Sequence, residues 1–140
     1  MQLLDVNVLV NAFRPDATKH ETAFAYLSAA RQGTEPVIVL PEVAVGFLRV
    51  VTHRGIFARP DAPAAAMNAL ASWCSSSVVS VQEAGAGRWA TFESLMTRRP
   101  MAGGDVHDGL LAAAAINMDA TLVTSDQGFT RFTGLRIQRL

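Results

Sequence analysis

GGDVHDGLLAAAAINMDATLVTSDQGF, residues 103–129, is the stretch on which the reading of the fold turns. Its opening glycine pair suits neither a helix interior nor a strand interior. Asp105 and Asp108 follow, three residues apart, and Leu110 to Met118 is then an almost wholly apolar helical run, too short to span a bilayer. Ala120 to Thr124 is short, apolar and β-branched, and reads as a strand ended by Ser125-Asp126-Gln127-Gly128. Acids therefore stand where a helix begins and where a strand ends. In open α/β sheets, ligands bind outside the carboxyl ends of the strands. Taken singly, each acid has a plainer use: Asp105 as an N-cap, Asp108 as a dipole-favoured residue of the first turn, Asp126 as a turn residue. A functional reading needs more acids at equivalent places.

The chain upstream supplies them. Gln2 to Asp5 reads as a strand ending in an acid, with Asn7 two residues on, able to hydrogen-bond Asp5. Pro36 to Leu40 is a second buried strand; Pro41 suits the first turn of a helix, and Glu42 sits in that turn. Gly46 and Arg49 share its helical face. Val78 to Val81 and Leu135 to Gln138 complete five strands. Helices are expected over Val8 to Phe13, Asp16 to Arg31, Glu42 to Thr52, from a cap at Asp61 to Trp73, and over Glu83 to Arg99. Phe129 and Phe132 pack a further short one. Ala64, Met67, Leu70 and Trp73 are expected to be core or partner-facing, and Trp89 and Phe92 to face inward with Leu95 or Met96. His20 is expected to be solvated.

Strands alternating with helices imply a single α/β domain over residues 1–140, with a mostly parallel twisted sheet covered on both faces. Half of the 140 residues are apolar, enough for a real core. The N-terminus lacks a positive region and reaches an acid at once, unlike a signal peptide. Cys74 is the lone cysteine, which excludes an internal disulfide. A cytoplasmic, membrane-free protein is the expectation. Net charge is zero, with Lys19 the lone lysine against eleven arginines. If Asp5, Glu42, Asp105, Asp108 and Asp126 share one pocket, seven acids remain to face twelve basic side chains. An acidic hole in an arginine-rich surface suits metal-dependent work on phosphates. Clustered carboxylates repel unless cations are bound, and an all-oxygen donor set favours Mg²⁺ or Mn²⁺.

LLDVNVLVNAF near the start, GFLRVVTH with IF shortly after, HDGLLAAAA, and ATLVTSDQGFTRFTGLR stand in that order along the whole chain. Together they resemble the PIN-domain ribonucleases, and most of all the VapC toxins of bacterial toxin–antitoxin pairs. The resemblance implies a Mg²⁺-dependent endoribonuclease, an RNA substrate, a VapB-like antitoxin and a homodimer. Asp5 matches the first family acid, Asp108 the third and Asp126 the fourth, with Asp105 an extra acid nearby. Many relatives carry a glutamate where this chain has Gly46; Glu42, one turn earlier on the same face, could substitute. A further acid common in relatives falls at Gly128 here. Asp5 and Asp108 would anchor one ion, with Glu42, Asp105 or Asp126 serving a second, while Asn7 and Arg49 support the site. The rival reading is a non-catalytic RNA- or protein-binding module of the same fold. Two others fail: a receiver domain needs a lysine near its last strands, and a haloacid-type hydrolase needs an acid where Asn7 stands.

Overall fold

The computed structural model describes all 140 residues. Five strands, β1 (Gln2–Leu4), β2 (Val37–Val39), β3 (Val79–Val81), β4 (Thr121–Thr124) and β5 (Arg136–Arg139), form one sheet in the order β3-β2-β1-β4-β5. Every neighbouring pair is parallel. In register, Leu3 lies between Ile38 and Leu122. These short strands are continuous apolar runs because the sheet is covered on both sides: β2 is buried at every residue, and Leu3 and Leu4 have no exposed surface.

The chain steps from β1 outward to β2 and β3, then returns past β1 to β4 and β5. Right-handed crossovers therefore place the helices of the two halves on opposite faces. In the first half α1 (Val6–Phe13) packs on α2 (His20–Gln32) and α3 (Pro41–Val51), and α3 on α4 (Pro63–Trp73). In the second, α5 (Arg88–Arg98) packs on α6 (Gly104–Asn117). Alanines 112–115 of α6 are fully buried, and their small side chains let the helix lie close to its neighbours. Phe47 anchors the opposite layer, edge-on to Phe13 and packed against Trp73.

Several helices begin later than the sequence pattern suggests, because their acids are engaged elsewhere. Asp16 lies outside α2; both its oxygens accept from Arg14, at 2.8 and 2.9 Å. Asp61 caps nothing: α4 starts at Pro63 after Ala62, and Asp61 accepts from Arg14 Nη1 at 2.6 Å. The Arg14 guanidinium also stacks over Phe57, 3.8 Å from the ring centroid, and so ties the loop before α4 to the end of α1. Glu83 precedes α5, which begins at Arg88 after Gly87 in a left-handed conformation. His20 is half-buried with Nδ1 3.0 Å from the Asn11 carbonyl, not freely solvated. The inward face of α4 is Ala66, Leu70 and Trp73, leaving Ala64 and Met67 exposed. Phe92 points inward, whereas Trp89 is exposed and donates to Glu93 at 2.8 Å.

Candidate active site

The direction of strand order reverses at β1, so the crevice at its carboxyl end, beside β4, is the topological switch point. Asp5 sits there. Its backbone N–H extends the β1–β4 ladder to the Val123 carbonyl at 3.0 Å, and its own carbonyl receives the Val8 N–H at 3.1 Å, opening α1. That geometry fixes the carboxylate in the crevice, 8% exposed. Thr124, fully buried at the end of β4, donates its hydroxyl to Asp5 Oδ2 at 2.6 Å. Asn7 Nδ2 donates to the same oxygen at 2.5 Å and to Thr124 Oγ1 at 3.0 Å. The Asn7 amide oxygen accepts from the Ser125 N–H at 3.0 Å, and Thr124 Oγ1 accepts from the Asp126 N–H at 2.9 Å. Two strand ends are thus laced together by neutral hydrogen bonds around one buried carboxylate.

Three acids from three different segments line one cleft of about 250 Å³: Asp5, Glu42 and Asp108, with His107 beside them and Val6 and Val43 as apolar wall. Burial raises the pKa of Asp5, and the charges of Asp108 and Asp126 raise it further against the opposing bonds from Thr124 and the Val6 N–H. Burial raises Asp108 as well, with Asp126 and Asp105 adding to it and Arg131 working against it. Asp5 has no basic partner at all. Two carboxyls raised by desolvation and like charge in a crevice at strand ends, Asp5 and Asp108, mark a candidate functional site.

The model of the PIN domain family matches residues 3–135. The chain belongs to that family. VapC ribonuclease Mb2897 of Mycobacterium bovis is 35% identical to it over 136 residues, which cover 97% of this chain and 92% of the relative. Ribonuclease VapC37 of Mycobacterium tuberculosis is 27% identical over 97% of the chain and 94% of its own length. Among solved structures, VapBC2 from Rickettsia felis bound to a promoter DNA fragment superposes with a TM-score of 0.70 at 18% identity, covering 99% of this chain and 97% of the other. The Mycobacterium tuberculosis VapC20 toxin, described as cleaving the sarcin–ricin loop, gives 0.67 at 18% identity, covering 97% and 99%. At these identities the structures establish the fold.

In this PIN domain the acids named from sequence all reach the same edge, and of those with a plain capping reading only Asp126 serves as a cap. Asp105 caps nothing: Gly103 is the N-cap of α6, at φ +57°, a conformation open to glycine. Asp105 is half-exposed and lies 3.1 Å from Arg131 Nη2; the same nitrogen donates to Asp108 Oδ2 at 2.6 Å. Asp126 caps the short 3-10 helix Gln127–Arg131, accepting from the Gly128 N–H at 2.7 Å. Glu42 is ion-paired with Arg88 at the rim. Arg49 is exposed and makes no ion pair. At Gly46 a Cβ would stand 2.8 Å from Val6 Cγ2, so Val6 fills the space that a side chain there would need. The carboxylate donors suit a hard divalent ion in chemistry. No three of them converge on one point, since Arg131 and Arg88 draw Asp108 and Glu42 aside.

Sequence reasoning missed Thr124, Arg131 and Arg88. Thr124 carried a usable signal: a hydroxyl at the end of an apolar strand, one residue before Ser125-Asp126. The arginines did not, because they pair across 23 and 46 residues.

Proposed function

We propose that this protein is a divalent-metal-dependent endoribonuclease, the toxin of a toxin–antitoxin pair, using Mg²⁺ or Mn²⁺ at the acidic switch-point crevice. The observation that carries this reading is Asp5: a carboxylate buried at the central strand end, without a basic partner, facing Asp108 and Glu42 across one cleft. The ribonuclease names of relatives at 35% identity support it, and the toxin–antitoxin complexes among the structural neighbours support a small antitoxin partner. Asp5 and Asp108 would hold the ion, with Glu42, Asp126 and Asp105 near enough to assist. A bound ion of this kind activates a water for in-line attack on a phosphodiester. Asn7 and Thr124 keep the Asp5 carboxylate oriented toward the crevice, and α1 and β4 shield its base from solvent. Arginines on the surrounding surface would hold RNA phosphates, and exposed Trp89 offers a stacking face. Phe24, Val45 and Met67 stand exposed and are available to an antitoxin or to a second copy of the chain in a homodimer.

The alternative, a non-catalytic RNA- or protein-binding module, draws on the glycines at positions 46 and 128 and on the arginines that occupy Asp108 and Glu42. Cleavage of loop-bearing RNA with added Mg²⁺ or Mn²⁺, abolished by chelator and by Asp5→Asn, is expected. RNA binding without turnover in either metal would establish the module instead.

A further inference from the structure

Arg131 stands where the acids are densest. Its Nη2 bridges Asp108 and Asp105, at 2.6 and 3.1 Å, and its guanidinium lies 5.0 Å from the centroid of Phe132. The side chain is mostly buried, 19% exposed. Its Nε is completely enclosed and has no acceptor. Gly128 makes this position accessible: a Cβ there would stand 3.3 Å from Arg131 Nη1 and 3.1 Å from Asp126 Oδ1. A side chain at 128 would crowd Arg131 Nη1 and Asp126 Oδ1, and its absence leaves the guanidinium room to reach Asp108 and Asp105. Two carboxylates, Asp105 and Asp108, share this single counter-charge, and one donor is orphaned. Such an arrangement leaves net negative charge and an unsatisfied guanidinium, as expected of one of two alternative states.

We propose that Arg131 is the resident cation of this site, exchanging with the divalent ion. Its pairing with Asp108 and the binding of the ion by Asp108 oppose one another. A guanidinium on Asp108 Oδ2 sets a positive charge beside the ion's ligand, so each weakens the other by the same factor. Arg131 is thereby a positioning residue. It keeps the carboxylates apart and hydrogen-bonded before the ion arrives, and it lowers the affinity for that ion. The released guanidinium remains at the rim, with its Nη groups free for a phosphate. This inference rests on the metal-dependent reading above.

The test is calorimetric titration of the chelator-stripped, full-length protein with Mn²⁺ at neutral pH, without RNA. R131M should bind Mn²⁺ about five- to fiftyfold more tightly than wild type, with R131K close to wild type. An R131M affinity within about twofold of wild type overturns the inference and leaves the metal reading standing. Failure of every protein to bind Mn²⁺ overturns both. A second measurement needs no variant. In a Mg²⁺ titration of wild type followed by NMR, the Arg131 Nε–H signal should shift and exchange faster with solvent, at the same midpoint as the Val6 amide. Movement at Val6 with Arg131 unmoved overturns the exchange alone; no movement at either overturns the metal reading with it.

Discussion

The two walls of the crevice hold their acids by opposite means. On the β1–β4 wall, Asp5 is held by Thr124 and Asn7, neutral donors that also bind one another and the backbone of residues 125 and 126. On the helical wall, Asp105 and Asp108 share Arg131, and Glu42 is paired with Arg88. Neutral donors fix where a carboxylate sits but leave its charge uncompensated. Arginines compensate the charge but occupy the oxygens. One wall presents a carboxylate with no cation on it, and the other already holds two arginines.

The largest effect should separate the walls directly. Asp5→Asn should lower RNA cleavage by about a thousandfold or more, roughly 4 kcal/mol of transition-state stabilisation. In chelator it should nonetheless melt higher than wild type, because it removes a buried charge with no partner. Asp108→Asn should also abolish cleavage but leave the chelator melting point near wild type, since it relieves repulsion and breaks the Arg131 pair together. The gain from Asp5→Asn should depend on pH. The native state holds Asp5 above its ordinary value of 3.8, so between that value and the raised one it binds more protons than the unfolded chain. Stability falls as pH rises through that window. Melting curves in chelator should show the two proteins converging in acid and separating above the window. A gap that stays constant with pH would mean that the Asp5 charge is compensated after all.

Thr124→Val should act next, and on one wall only. It removes the donor to Asp5 and the acceptor for the Asp126 N–H and Asn7, at a cost of about 1–3 kcal/mol in denaturant unfolding. Cleavage should drop about tenfold as Asp5 loses its orientation. Glu42→Gln tests the helical wall: a loss of about tenfold or more, 1.4 kcal/mol, is expected if Glu42 serves the site in place of an acid at position 46. Wild-type turnover would reduce Glu42 to a rim partner of Arg88. The smallest effect is that of Gly46→Ala, whose methyl must displace Val6 Cγ2, costing about 1 kcal/mol of stability.

The sheet was legible because its strands are short apolar runs ended by an acid or a turn: Leu3 and Leu4 before Asp5, Val37–Val39 before Glu42, Leu122 and Val123 before Asp126. Covered on both faces, such strands have no polar alternation to confuse the pattern. Helix starts were less legible. An acid near a helix end reads as a cap, and nothing local reveals that Asp61 belongs to Arg14, or Asp105 to Arg131. The positions of the acids at one edge followed from strand topology. Their protonation and pairing did not, because these depend on which distant arginine the fold brings to each. Trp89 was misplaced: its period suits an inward face, but Phe92, with Leu95 and Met96, forms the packed side of α5 and leaves Trp89 outside.

The Thr124–Asp5 hydrogen bond joins residues 119 positions apart and has a temporal meaning. Synthesis runs from Asp5 toward β4, so the carboxylate exists before the strand whose hydroxyl seats it. Sheet pairing between β1 and β4 must wait for that late strand, since a domain completes its core only when its last elements are free. Until then the nascent chain carries an unseated aspartate and no crevice. The order of synthesis thus makes the seated carboxylate, and the crevice it lines, a late product of folding.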